Sequence, residues 1–138
     1  MNSVAQMNDL DIRRLTYADL PQVIAIERRA FPTPWSLAMF VLELSKPSGI
    51  CLAALRDGRI VGYLICSRYD TVWHVMNVAV DPDLRNQGIG TALLERLLDE
   101  VAEVGGDPRH TGRQAADLER ADRVGARMRR RHPDARRL

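Results

Sequence analysis

The sequence predicts an α+β domain, a mixed and mostly antiparallel sheet flanked by helices, and three observations predict it. Two apolar runs, residues 50–55 and 60–66, are joined by Arg56-Asp57-Gly58-Arg59. Asp-Gly between such runs signals a hairpin, because both turn residues accept positive φ. Ahead of them, residues 20–31 and 37–45 carry apolar side chains at helical spacing. Residues 73–100 then change period: the apolar run Trp73-His74-Val75-Met76-Asn77-Val78-Ala79-Val80 gives way to a turn with two glycines and to Leu93, Leu94, Leu97 and Leu98 at helical spacing.

Taken in order, Leu10-Asp11-Ile12-Arg13-Arg14-Leu15 is short and partly alternating, and reads as the first strand. Thr16 supplies helix-start chemistry, with Asp19 three residues on as capping-box partner. Leu20, Val23, Ile24, Glu27 and Phe31 share helical spacing, which predicts a helix burying Leu20, Val23 and Ile24. Pro32 and Pro34 end it. Ser36 caps a second helix over residues 37–45, which carries Phe40, Val41 and Leu44. Between the two helices, Phe31-Pro32-Thr33-Pro34-Trp35-Ser36 forms a proline-stiffened corner, and chemistry alone slightly favours its two aromatics plugging the core. Tyr69 and Asp70 open the turn into the 73–80 strand.

At 138 residues the chain is one domain with room for a core. No apolar run reaches the roughly 18 residues of a membrane helix. Met1-Asn2-Ser3-Val4-Ala5-Gln6 lacks the basic-then-apolar pattern of a signal segment, so a cytoplasmic protein without membrane contact is expected. Cys51 and Cys66, set in apolar segments, read as buried free thiols, and no metal site is expected.

The turn after residue 80 reads Asp81-Pro82-Asp83-Leu84-Arg85-Asn86-Gln87-Gly88-Ile89-Gly90-Thr91. Strand, glycine-containing turn and helix together build an anion site, since unpaired N–H groups and the positive dipole end meet where glycines admit a phosphate. A plain tight turn fits the glycines equally well. There is no Gly-Lys-Ser/Thr for a Walker loop and no Gly-x-Gly-x-x-Gly for a dinucleotide fold. What remains, Arg85-x-x-Gly88-x-Gly90 after Asn77-Val78-Ala79-Val80-Asp81-Pro82, resembles the acyl-CoA pyrophosphate loop of the GCN5-related N-acetyltransferase (GNAT) superfamily. Phe31-x-x-Pro34-Trp35-Ser36 resembles the local pattern of the bacterial branch that acetylates the N-terminal alanine of a small-subunit ribosomal protein.

The resemblance implies acetyl-CoA as donor, without metal. Its pyrophosphate would lie on the N–H groups of Asn86, Gln87, Gly88, Ile89, Gly90 and Thr91, with Arg85 adding charge. The pantetheine arm would pair with main chain at Val78, Ala79 and Val80, where a strand N–H also faces the thioester oxygen. The acceptor, a protein N-terminus, would border Phe31, Pro34 and Trp35. Two alternatives stand beside this: a small amine as acceptor, or an inactive fragment that only binds acyl-CoA. His74 is a tempting base, yet a lone His in an apolar strand reads as structural. Glu27 and Glu43 read as solvated helix positions.

The resemblance covers residues 10–104, giving a core of residues 1–106 and an arginine-rich tail of residues 107–138. Through Gly106 there are ten Lys and Arg against thirteen Asp and Glu, a net of −3; the tail has ten Arg against five acids, a net of +5. The family follows its cofactor helix with a strand bearing a glutamate base, then an Asn and a Tyr-bearing helix. No tyrosine follows Tyr69, so none of these is carried over and the catalytic residues stay unassigned. Three readings of the tail remain: a basic arm touching RNA phosphates, a weak helix near residues 114–131, and an out-of-frame translation. Without a later strand, the edge at residues 75–80 is expected to stay open.

Overall fold

In the computed structural model, which describes residues 9–104, four strands form one antiparallel sheet in the order β1-β2-β3-β4. They are β1 (Leu10–Arg14), β2 (Ile50–Arg56), β3 (Arg59–Tyr69) and β4 (Val72–Val80). Three helices accompany them: α1 (Leu20–Ala30), α2 (Leu37–Leu44) and α3 (Ile89–Glu103). The predicted hairpin forms, with Asp57 at φ 54° and Gly58 at φ 77°, the positive angles a two-residue turn demands.

The sheet is covered on both faces, which is why β2, β3 and β4 read as nearly unbroken apolar runs. Leu52, Leu64, Val78 and Val80 meet Leu93, Leu97 and Val101 of α3 on one face. Ala53, Tyr63, Ile65 and Met76 meet Val23 and Ile26 of α1 and Phe40 of α2 on the other. Gly62 lets α3 come down close, since a Cβ there would lie 3.1 Å from Ile89 Cγ2 and 3.1 Å from the Ala79 carbonyl oxygen. Glu100 pins the far half of α3 to the first strand through Arg14 and Arg96, and Arg96 Nη1 also donates to the Ile12 carbonyl at 2.9 Å.

The capping box forms, although it caps a single 3-10 turn, Tyr17–Asp19, ahead of α1. Asp19 accepts from the Thr16 N–H and hydroxyl and takes a bidentate pair from Arg13 at 2.8 and 3.0 Å. That guanidinium, against the opposing effect of burial, lowers the Asp19 carboxyl to about 2, with Thr16 helping.

Several expectations are corrected. Ile24 is only half-buried; Ile26 and Glu27 take its place on the buried face of α1. Of the apolar residues that α2 carries, Phe40 is buried, whereas Val41, for which no burial is expected from the sequence, is exposed with Leu37 and Leu42. Glu27 and Glu43 are not solvated: they are 0% and 2% exposed. Each turns inward because hydroxyl and N–H donors await it there, which makes a buried carboxylate tolerable. The ladder of β3 and β4 also slips by one between Ile65 and Cys66, leaving Met76 as an extra residue in β4. The tail, residues 107–138, lies outside the described residues, and among those described β4 is one edge of the sheet.

Candidate active site

The end of β4 and the start of α3 meet at a junction rich in main-chain N–H and charged groups. The register pairs Gly62 with Val80, Tyr63 with Ala79 and Leu64 with Val78, and the Asp81 N–H donates to the Val61 carbonyl at 2.8 Å. In an antiparallel ladder hydrogen-bonded and non-bonded pairs alternate. Ala79 therefore directs its main-chain groups at Tyr63, whereas Val78 and Val80 direct theirs away from β3, to the strand's outer edge. Of the three residues expected to pair with a pantetheine arm, Val78 and Val80 are disposed for it and Ala79 is not. Side chains contribute nothing there, since all three are buried.

After β4 a short 3-10 turn, Pro82–Leu84, is held by Asp81, whose carboxylate accepts from the Asp83 N–H at 3.0 Å. Arg29 of α1 bridges Asp81 and Asp83 at 3.1 and 3.0 Å. The chain then takes positive φ at Asn86 (66°) and again at Gly88 (84°), where the helix starts. Residues 89–91, expected in the turn, are instead the first helical turn. The first intrahelical bond is Ala92 N–H to Gly88 C=O at 3.0 Å, so the N–H groups of Ile89, Gly90 and Thr91 have no helical acceptor. Nothing lies within 4 Å of a would-be Gly88 Cβ, so glycine serves here for its backbone angle.

Two cations accompany this junction, Arg56 and Arg85. Arg56, at the end of β2, donates to Gln87 Oε1 at 2.9 Å and ties the loop to the sheet. Arg85 is half-buried, and its Nε is buried without a partner among the described residues. An anion at the helix start would meet main-chain N–H groups, the dipole and this guanidinium together.

The corner expected to border the acceptor, residues 31–36, is built differently. Phe31 and Trp35 are buried in the core, while Pro34 is exposed together with Pro32 and Thr33. The Trp35 N–H donates to Glu27 Oε2 at 2.8 Å. The Tyr63 hydroxyl and the Asn77 amide both donate to Glu27 Oε1, the latter at 2.8 Å. A second buried carboxylate, Glu43, accepts from the Ser67 hydroxyl and, at 3.0 Å, from Lys46. Both glutamates lie on helices, but apart from Lys46, three residues from Glu43, and the Trp35 N–H, their donors Tyr63, Ser67 and Asn77 come from strands far away in sequence.

The other candidates take ordinary roles. The His74 ring packs edge-on to Tyr69 at 5.3 Å, near the start of β4. Cys51 and Cys66 are free and buried, on opposite faces of the sheet. Burial pushes the Cys51 thiol up to about 12 and the Cys66 thiol upward too, far from a reactive thiolate. Among the described residues no three His, Cys, Asp or Glu side chains assemble into a metal-holding group, and no helix is long and apolar enough to cross a membrane.

The profile of the acetyltransferase (GNAT) family matches residues 20–123. The chain belongs to the GNAT family. The match extends past Val104 into the arginine-rich stretch for which no family strand could be read. An uncharacterised N-acetyltransferase of Methanocaldococcus jannaschii is 38% identical over 86 residues, 62% of this chain and 55% of that protein. The [ribosomal protein bS18]-alanine N-acetyltransferase of Escherichia coli K12 is 34% identical over 94 residues, 68% of this chain and 63% of its own length. The crystal structure of the Escherichia coli ribosomal-protein-S18-alanine N-acetyltransferase superposes with a TM-score of 0.65 at 33% identity, covering 70% of this chain and 61% of that one. The chain thus spans between 55% and 63% of these relatives' own length.

Proposed function

We propose that this GNAT chain binds acetyl-CoA at the start of α3 and passes its acetyl group to the α-amine of a protein N-terminus, the N-terminal alanine of a small-subunit ribosomal protein. The observation that carries the donor half is the left-handed Gly88 opening α3, with the N–H groups of Ile89, Gly90 and Thr91 beyond it and Arg85 alongside. The acceptor half is supported by the bS18-alanine acetyltransferase relative and by the resemblance of the Phe31-x-x-Pro34-Trp35-Ser36 corner to the local pattern of that branch.

On this reading the pyrophosphate rests on the α3 N-terminus and the pantetheine amides extend β4 by pairing with Val78 and Val80. The amine lone pair attacks the thioester carbon, the carbon–sulfur bond breaks, and the thiolate leaves and takes up a proton. Oxyanion charge falls to main-chain N–H donors of the strand edge, which are fixed before reaction begins. An α-amine has a pKa of about 8, so a fraction is neutral at pH 7 and attack needs only modest help with deprotonation. A ribosomal acceptor puts the chain in the cytoplasm.

Incubation with acetyl-CoA and an alanine-starting peptide of the ribosomal protein, read by mass spectrometry and by free-thiol release, tests the reading. Acetylation at the α-amine is expected, with lysine-only peptides left unmodified. Thiol release that is the same with and without peptide, or acetylation of internal lysines alone, would contradict it.

A further inference from the structure

Glu27 is wholly buried, and its donors come from three separate elements. Trp35 offers a main-chain N–H from the corner before α2, Tyr63 a hydroxyl from the middle of β3, and Asn77 an amide from β4, next to its bulge. Burying a carboxylate carries a large desolvation penalty, and an apolar side chain of similar volume is often neutral or stabilising in such a place. Packing alone therefore gives no reason for an acid here. What a carboxylate does and leucine does not is join the 31–36 corner to β4 one residue before Val78. Aromatic rings run beside this link, Trp35 to Phe40 at 5.2 Å and Phe40 to Tyr63 at 5.8 Å, and resist its shear. Asn77 Oδ1 is buried without a partner among the described residues, so the bond to Glu27 is what orients that amide.

We infer that Glu27 is a positioning residue: its carboxylate fixes the acceptor corner relative to the β4 edge that carries the thioester. This rests on the acetyl-transfer reading. Glu27 touches neither substrate and acts through Trp35 and Asn77. A glutamine in its place has one acceptor oxygen for three donors, and its NH₂ must face at least one of them. The corner or the amide then loses its anchor, while the α3 N-terminus is untouched.

The test compares wild type with Glu27→Gln, Glu27→Asp and, as a control for lost packing, Val23→Ala in the same helix. Peptide kcat and KM, acetyl-CoA affinity and melting point are read for each. Glu27→Gln is expected to lose roughly 30- to 100-fold in kcat/KM for the alanine-starting peptide, the size of effect a small misplacement produces. Its acetyl-CoA affinity stays within about threefold of wild type, because that site is made elsewhere. Glu27→Asp recovers part of the loss, and Val23→Ala melts lower yet keeps its kcat/KM. Equal losses in Glu27→Gln and Val23→Ala, or a Glu27→Gln enzyme within about threefold of wild type, overturn the inference. If Glu27→Gln does not fold, Tyr63→Phe and Asn77→Ser each remove one donor, and Asn77→Ser must lower kcat/KM by roughly tenfold more than Tyr63→Phe; equal losses overturn it. A wild type that transfers no acetyl group removes the transfer reading and this inference with it. One that transfers normally while the glutamate variants do too removes this inference alone.

Discussion

At the start of α3 main-chain N–H groups are left without helical acceptors by a turn with two positive backbone angles, at Asn86 and Gly88. Across the sheet, at the corner before α2, order is imposed by a side chain, the buried carboxylate of Glu27, collecting donors from Trp35, Tyr63 and Asn77. The first arrangement tolerates almost any side chain and few backbones. The second tolerates little change in one side chain. Backbone demands of the first kind leave glycines in the sequence, and a motif can be read; convergence of the second kind leaves no local mark.

The largest effect is expected at the carboxylate itself. Glu27→Ala removes the buried acceptor shared by Trp35, Tyr63 and Asn77, and urea unfolding should show a loss of about 4 kcal/mol, or no folded protein. A loss below about 1 kcal/mol would mean that the corner is held by its aromatics instead.

Next comes the contact that seats the donor helix. Gly62→Val puts a branched side chain against Ile89 and the Ala79 carbonyl, both 3.1 Å from the added Cβ. Overpacking of this kind costs about 2–3 kcal/mol, and because α3 must shift, acetyl-CoA affinity should fall along with stability. Unchanged affinity would separate the site from the seating of the helix.

Asp19 lies at neither end and serves as a contrast. Arg13 holds its carboxyl at about 2 in the folded protein, below the ordinary carboxylate value of about 3.9, so its stabilisation is present above that ordinary value and is lost as pH falls through 2. That shift corresponds to about 2–3 kcal/mol. Asp19→Asn should lose this amount at pH 7 and flatten the acid limb between pH 4 and 2, measured by urea titration across pH, with acetyl-CoA binding unaltered. The smallest effect belongs to Arg85, half-buried beside the loop. Arg85→Ala should weaken acetyl-CoA roughly fivefold and reduce the salt dependence of binding, as loss of one charge-assisted contact would.

Much of the fold was legible because its punctuation is chemical. Asp57-Gly58 announced a hairpin, Ser36 a helix start and Pro32 a helix end, and each is where it was read. The start of α3 lies a few residues before the one the periodicity predicts, since Ile89 and Thr91 show no helical preference and only the angle at Gly88 sets the cap. The bulge at Met76 carries no glycine or proline, so nothing in the run of residues 73–80 foretold it. Glu27 and Glu43 read as solvated from sequence because charges on helices usually are; their burial depends on Tyr63, Asn77 and Ser67, which are far away in sequence and near only through the sheet register. Val78 and Val80 could be separated from Ala79 only once pairing with β3 was known.

The most direct measurement is calorimetric titration of acetyl-CoA into wild type, Gly88→Val and Gly58→Val. Both glycines hold left-handed angles, 84° and 77°, with nothing within 4 Å of an added Cβ, so the two substitutions impose similar backbone strain at different places. A β-branched residue at such an angle is disfavoured by about 1–2 kcal/mol or more. If acetyl-CoA rests on the α3 N-terminus, Gly88→Val weakens it at least about tenfold while Gly58→Val binds as wild type does. Equal binding by all three proteins, or equal loss in both variants, would contradict the placement of the donor site.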